Sequence, residues 1–187
     1  MSSTWVIDSS HSHIHFTARH MMISKVRGSF ENFSGTVQFD EQTPANSSVE
    51  VQIEAASIQS RDAKRDGHLT SPDFLDAANH PYLTFKSKSV RVIDDSHGEI
   101  VGELTIRGVS REVVLTTEYN GQSKSPWGTT SAGFSASTKI NRKDWGLNWN
   151  VALETGGVLV GEEITIDIEI EIVKQVPQEA EAEAVAA

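Results

Sequence analysis

Residues 164–172 read "ITIDIEIEI", with isoleucine at every even position and Thr165, Asp167, Glu169 and Glu171 between them. A β-strand sends successive side chains to opposite faces. The stretch therefore has one wholly apolar face and one acidic, solvated face. Weaker versions of the same alternation run along the chain. Val49, Val51 and Ile53 alternate with Glu50, Gln52 and Glu54, and Ile100, Leu104 and Ile106 with Val101, Glu103 and Thr105. It continues through Val113, Leu115, Thr117 and Tyr119 and through Phe134, Ala136, Thr138 and Ile140. Turn-forming stretches separate these runs: "DEQTPANSS" (40–48), "DDSHG" (94–98), "RGVSR" (107–111) and "YNGQSKSPWG" (119–128). The pattern predicts an all-β fold of about eight mostly antiparallel strands, either a sandwich or a closed up-and-down barrel.

Two segments break the period. "SRDAKRDGHLTSPDFLDAANH" (60–80) has no alternation, opens on Ser60 as a candidate N-cap, and predicts a turn or two of helix ending at Gly67 followed by irregular loop. "MMISKVRGSFENF" (21–33) reads as a turn or short helix linking strands. Residues 177–187, mostly Ala and Glu, bury too little surface to offset ordering entropy and are expected to form a disordered tail on a single domain spanning 1–176.

A chain of 187 residues suffices for one core, burying about 70% of the unfolded surface. Its 26 acidic and 16 basic residues give a formal charge of −10. Such a surface repels phosphate backbones, so nucleic acid is not an expected partner. Without cysteine there is no disulfide framework, thiolate metal site or thiol nucleophile. The N-terminal "MSSTWVIDSS" lacks the basic and apolar regions of a signal peptide, and the expectation is a cytoplasmic protein. No run approaches the roughly 20 apolar residues of a transmembrane helix. No Gly-rich phosphate loop, nucleophile elbow, paired-histidine zinc motif or dinucleotide fingerprint occurs, so neither a catalytic residue nor a cofactor is assigned.

"WVID", "HSHIHFTARH", "GSFENFSGTVQFD", "RDGHLTSPDFLD", "HPYLTFKSKSV", "GELTIRGVSREVVL", "WGTTSAGFSAS" and "INRKDWG" follow one another between Trp5 and about Ile172. In this order they resemble the lipid/polyisoprenoid-binding YceI-like family; "RDGHLTSPDF" and "LTIRGV" are the most specific pieces. Residues 147–163, "LNWNVALETGGVLVGEE", match only loosely. The resemblance implies an eight-stranded antiparallel lipocalin-like barrel whose apolar lumen holds a polyisoprenoid or other long-chain amphiphile. It implies no catalytic activity and is compatible with a homodimer.

Apolar-face residues are the candidate lumen wall: Ile14, Phe16, Leu83, Phe85, Leu104, Phe134, Ile140, Ile166 and Ile168, with Phe74 and Leu69 closing one end. His20 shares the apolar face of its strand and fits the family pattern. Arg65, Asp66 and His68 in "RDGHL" are head-group candidates because a guanidinium fork suits phosphate oxygens; the alternative is that they pin the helix. Trp127 and Trp145 are candidates for the cavity mouth, where an indole offers an apolar body and one donor; Trp149 belongs with them, and simple loop packing is the alternative. A rival, enzymatic reading uses His20, Asp66 and His68. A third reading assigns a metal to "HSHIHF" (11–16), whose alternate histidines share a face. That face is opposite Ile14 and Phe16, so solvated histidines are the simpler expectation and no metal is assigned.

Overall fold

Chain reversals at the predicted turns bring successive apolar faces together around one axis. The computed structural model describes residues 2–176; the expected tail at 177–187 lies outside the described residues. Eleven strands form: β1 (Ser3–Ile7), β2 (His13–His20), β3 (Ser24–Phe30), β4 (Phe33–Phe39), β5 (Ser48–Glu54), β6 (Ile58–Gln59), β7 (Tyr82–Val92), β8 (His97–Ile106), β9 (Val109–Lys124), β10 (Thr130–Asn141) and β11 (Val160–Lys174). One helix, α1 (Ala63–Thr70), lies between β6 and β7. Eight strands close a ring in the order β1-β4-β5-β7-β8-β9-β10-β11, and β1 pairs back onto β11. The fold is a closed antiparallel barrel. Of the two architectures that alternation allows, closure removes the unpaired strand edges.

The ring closes through a division of labour along β11. Its C-terminal residues pair with β1, Ile172 opposite Ile7. Its earlier residues pair with β2, Ile168 opposite Ile14 and Ile166 opposite Phe16. Between β1 and β2 a 3-10 turn at Ser9–His11 interrupts the strand. Ser12, 3% exposed, fills the gap: its Oγ accepts the Glu171 N–H at 2.9 Å. From β2 the sheet continues outward through β3 to β6.

Two expectations need correction. Residues 24–30 form strand β3 rather than part of a helical link. The weak signal there has a steric origin: a Cβ at Gly28 would run into the Phe16 ring, so the neighbouring strand's phenylalanine occupies the space of a side chain. Helix α1 is capped by Asp62, which accepts the Arg65 N–H, and it runs through Gly67 to Thr70. Ser60 is occupied elsewhere, as described below. Among the described residues no helix is long and apolar enough to cross a membrane.

Candidate functional site

The inward faces do not meet across the axis. They enclose a cavity of about 580 Å³, walled along its length by Ile164, Ile166, Ile168, Ile170 and Ile172. Ile14, Phe16, Leu83, Phe85, Leu104, Phe134 and Ile140 complete the wall. Strand register accounts for these positions: Phe85 lies opposite Leu104, and Phe134 opposite Ile170.

The two ends differ. At the helix end, Leu69, Phe74, Leu75 and Leu147 close the lumen. Here the connection after α1 folds inward, and the Arg107 guanidinium holds the Phe74 carbonyl at 3.2 Å. At the turn end, the β4–β5 connection and the β7–β8 turn bring Glu41, Asp94, Asp95, Ser96 and His97 to the rim. An aromatic group sits below that rim on one side, with Phe39 against Trp5 (5.8 Å), Tyr119 (6.1 Å) and Phe134 (5.5 Å). Burial raises the Tyr119 phenol above its ordinary pKa.

Arg142 is the buried charge of the site. It is 4% exposed and lines the cavity at the helix end. Its Nε donates to the Gly161 carbonyl at 2.9 Å, its Nη1 to Leu147 and its Nη2 to Val160. The guanidinium also lies 5.9 Å from the Phe74 ring centre. Burial pulls its pKa down. The adjacent Glu162 is bound to Lys143 at 2.7 Å. Among the described residues no carboxylate forms an ion pair with Arg142, so three backbone carbonyls and the Phe74 ring, with the Glu162 charge at longer range, stabilise a charge that faces an apolar space.

The other sequence candidates lie elsewhere. His20, expected on the lumen wall, is the last residue of β2, opposite Val160 and Ser24; it does not line the cavity. Arg65 and Asp66 converge on buried Ser60: Arg65 Nε donates to Ser60 Oγ at 2.7 Å, its Nη2 to the Ser60 carbonyl at 2.7 Å, and Ser60 Oγ donates to Asp66. They fasten α1 to the wall and do not reach the cavity. His68 bonds Asp73 through Nε2 at 2.9 Å and packs edge-on against Phe74 (5.0 Å) and Trp149 (4.5 Å), and it does not line the cavity. Trp145 is 2% exposed and donates to the Leu104 carbonyl; it belongs to the core behind the wall rather than to a mouth. Trp127, 89% exposed on the β9–β10 turn, does not line the cavity either. The enzymatic trio is thus dispersed, with Asp66 committed to Ser60 and His68 to Asp73.

The histidine comb divides. His13 and His15 stack outside the barrel at 5.7 Å, opposite Glu169 and Asp167. His11 belongs to the 3-10 turn, where its Nδ1 meets Asp8 Oδ2 at 2.9 Å. Asp8, His11 and Glu171 each place one ligand atom within 4.8 Å of the others, a mixed nitrogen and oxygen donor set. Local bonding already accounts for this cluster: Ser10 and His11 hold Asp8 down at about 2, and Asp8 raises His11.

The YceI-like domain model matches residues 5–172. A UPF0312 protein of Staphylococcus aureus is 36% identical over 170 residues, covering 90% of this chain and 96% of its own. The crystal structure of a Campylobacter jejuni YceI protein is 32% identical and superposes with a TM-score of 0.72, covering 85% of this chain and 90% of its own. A polyisoprenoid-binding domain from Saccharophagus degradans, implicated in plant cell wall breakdown, shares the fold at 12% identity, with a TM-score of 0.65 over 91% of this chain and 98% of that one.

Proposed function

Because the chain belongs to the YceI-like family, we propose that it is a carrier or storage protein for a long-chain amphiphile, an isoprenoid or similar lipid, whose tail lies in the lumen. The apolar cavity of about 580 Å³ carries this reading. The polyisoprenoid-binding neighbour supports it by analogy of fold. Each buried methylene contributes about 0.8 kcal/mol, so a tail of this kind offsets the cost of association. Size narrows the ligand. A cavity of about 150 Å³ holds one benzene ring; by that measure this lumen holds on the order of 20–25 carbons, about four or five isoprene units.

Arg142 orients the guest. A guanidinium has five N–H donors, three of them directed at carbonyls here. The remaining two face an anionic or strongly polar head, with the tail extending toward the turn end. The opposite orientation places an anionic head beside Glu41, Asp94 and Asp95. Organic extraction of the purified protein followed by mass spectrometry tests the reading, together with uptake of prenyl and alkyl probes of increasing length. The expected result is a bound amphiphile and an affinity that climbs to roughly 20–25 carbons and then levels. A barrel that is empty and also refuses every probe overturns it.

A further inference from the structure

The connection between β2 and β3 consists of three large apolar residues that remain substantially exposed: Met21 is 43% exposed, Met22, whose side chain lies against Gly157, 54% and Ile23 83%. Met21 and Met22 both adopt the left-handed backbone, at φ 50° and 67°, a region that favours glycine and asparagine. The turn thus carries bulky apolar side chains where small polar ones fit more easily. Folding alone gains little from them.

The strands leading to this tip present a second anomaly. Arg19 lies directly opposite Lys25 and Thr17 opposite Arg27, so Arg19, Lys25 and Arg27 share the outer face just below the tip. Like charges directly opposed on a sheet repel. Among the described residues none of the three is in an ion pair. They line an outer groove of about 540 Å³ together with Met22. Of the acids that also line it, Glu162 and Glu163 pair with Lys143 and Lys139, and Asp167 offsets one of the three cations. A local excess of positive charge thus surrounds an apolar point on a protein of net charge −10. The opposite end has no such excess: Glu41 on the β4–β5 connection pairs with Lys174, and the β7–β8 turn at residues 93–96 carries Asp94 and Asp95 and no lysine or arginine.

We infer that the β2–β3 hairpin docks the barrel onto an anionic lipid bilayer, with Met21, Met22 and Ile23 in the acyl boundary and Arg19, Lys25 and Arg27 against lipid phosphates. Apolar residues flanked by cations are the combination that interfacial binding requires, and methionine adapts to an irregular apolar phase. Bound phosphates also relieve the Arg19–Lys25 repulsion. The acidic turn end is repelled by the same surface, so charge fixes the helix end toward the lipid. The inference rests on the outside of the barrel and goes beyond the lumen reading.

The test is flotation of the full chain with vesicles of phosphatidylcholine alone or mixed with phosphatidylglycerol, with probe uptake into the lumen measured on the same samples. Wild type is expected to float with the mixed vesicles only, and less so as salt is raised. Replacing Arg19→Gln, Lys25→Gln and Arg27→Gln together should weaken binding about fivefold per cation, on the order of 100-fold in all. Met21→Ser with Ile23→Ser should weaken it about tenfold or more. Both variants should keep probe uptake, and Trp127→Ala should float as wild type does. Equal flotation with neutral and anionic vesicles, no flotation with either, or variants that bind as wild type overturns the inference. Vesicle binding by a wild-type protein that takes up no probe removes the lumen reading and supports this one.

Discussion

At the helix end of the barrel Phe74, Leu75, Trp145 and Leu147 are all less than a tenth exposed, and the one charge among them, Arg142, is buried with them. At the turn end Val92, Ile93 and Trp127 are half or more exposed, and the rim is acidic. One end is shut by packing; the other is bounded by short polar turns. The contrast bears on how a ligand enters. In the proposed orientation, an anionic head arriving through the turn end would cross the whole apolar lumen unsolvated, a cost of several kcal/mol. Entering tail first through the helix end, the head stops at Arg142. The tightly packed end is then the gate, and lipid docked through the neighbouring hairpin lies on the same side.

Truncating one buried ring at the gate should give the largest effect. Phe74→Ala is expected to cost about 3–5 kcal/mol of stability, read by urea denaturation, and to speed ligand exchange. Trp127→Ala at the turn end should change stability by no more than about 0.5 kcal/mol. Similar losses at both ends would erase the distinction. Arg142→Met comes next. Three carbonyls lose a donor, at about 1–3 kcal/mol in total if water reaches some of them. Its sharper consequence is in selectivity: wild type should prefer a fatty carboxylate to the alcohol of equal length by roughly tenfold, as one charge-assisted hydrogen bond provides, and the variant should not. Calorimetry with the two ligands decides it. Unchanged preference would move the head to the turn end.

Capacity offers a further comparison along the axis. Ala136 lies midway, opposite Ile168 on one side and Thr117 on the other, and faces the cavity. Ala136→Phe fills about one ring's volume, so the chain-length limit should fall by about six carbons, measured with the probe series. A limit that stays put would place the tail outside the lumen.

The barrel wall was legible because alternation is a local property: Ile164 to Ile172 declare their face without reference to the rest of the chain. The ends were not, since they are built by tertiary contacts. Nothing local distinguishes Trp145, whose N–H finds a strand carbonyl, from Trp127, whose ring points into water. The residues of "RDGHL" carry chemistry suited to phosphate, yet Ser60 lies close enough to claim both Arg65 and Asp66. Arg142 was missed although its signal was present. Phe134, Ala136, Thr138 and Ile140 face inward, and one further step of two residues reaches Arg142, in the 3-10 turn after β10. A charged residue that continues an apolar face is the informative observation there.

The smallest effect concerns a device that occurs twice. "DSSH" (8–11) and "DDSH" (94–97) fold alike: the aspartate accepts the N–H of the serine two residues on and meets the histidine Nδ1 at 2.9 Å. The second copy forms the β7–β8 turn on the lumen rim. The Ser96 N–H, then His97, holds Asp94 down at about 2, and Asp94 raises His97 above 6.5. The signs oppose. The histidine's contribution is fully present below its ordinary pKa of 6.5 and is lost as pH rises through the higher folded value. The aspartate's is present above 3.8 and is lost as pH falls toward about 2. Between those limits the turn is doubly held, so the rim should loosen above neutrality while the buried helix end does not respond. NMR titration should place both His11 and His97 above 6.5, and Asp8→Asn and Asp94→Asn should each lower only the nearby histidine toward its ordinary value, with Glu171 and Glu118 still raising them slightly. Amide exchange at Ser96 that rises with pH no faster than at Leu147, after correction for intrinsic rates, would mean that the rim is as firmly closed as the plug, and that the two ends differ in exposure alone.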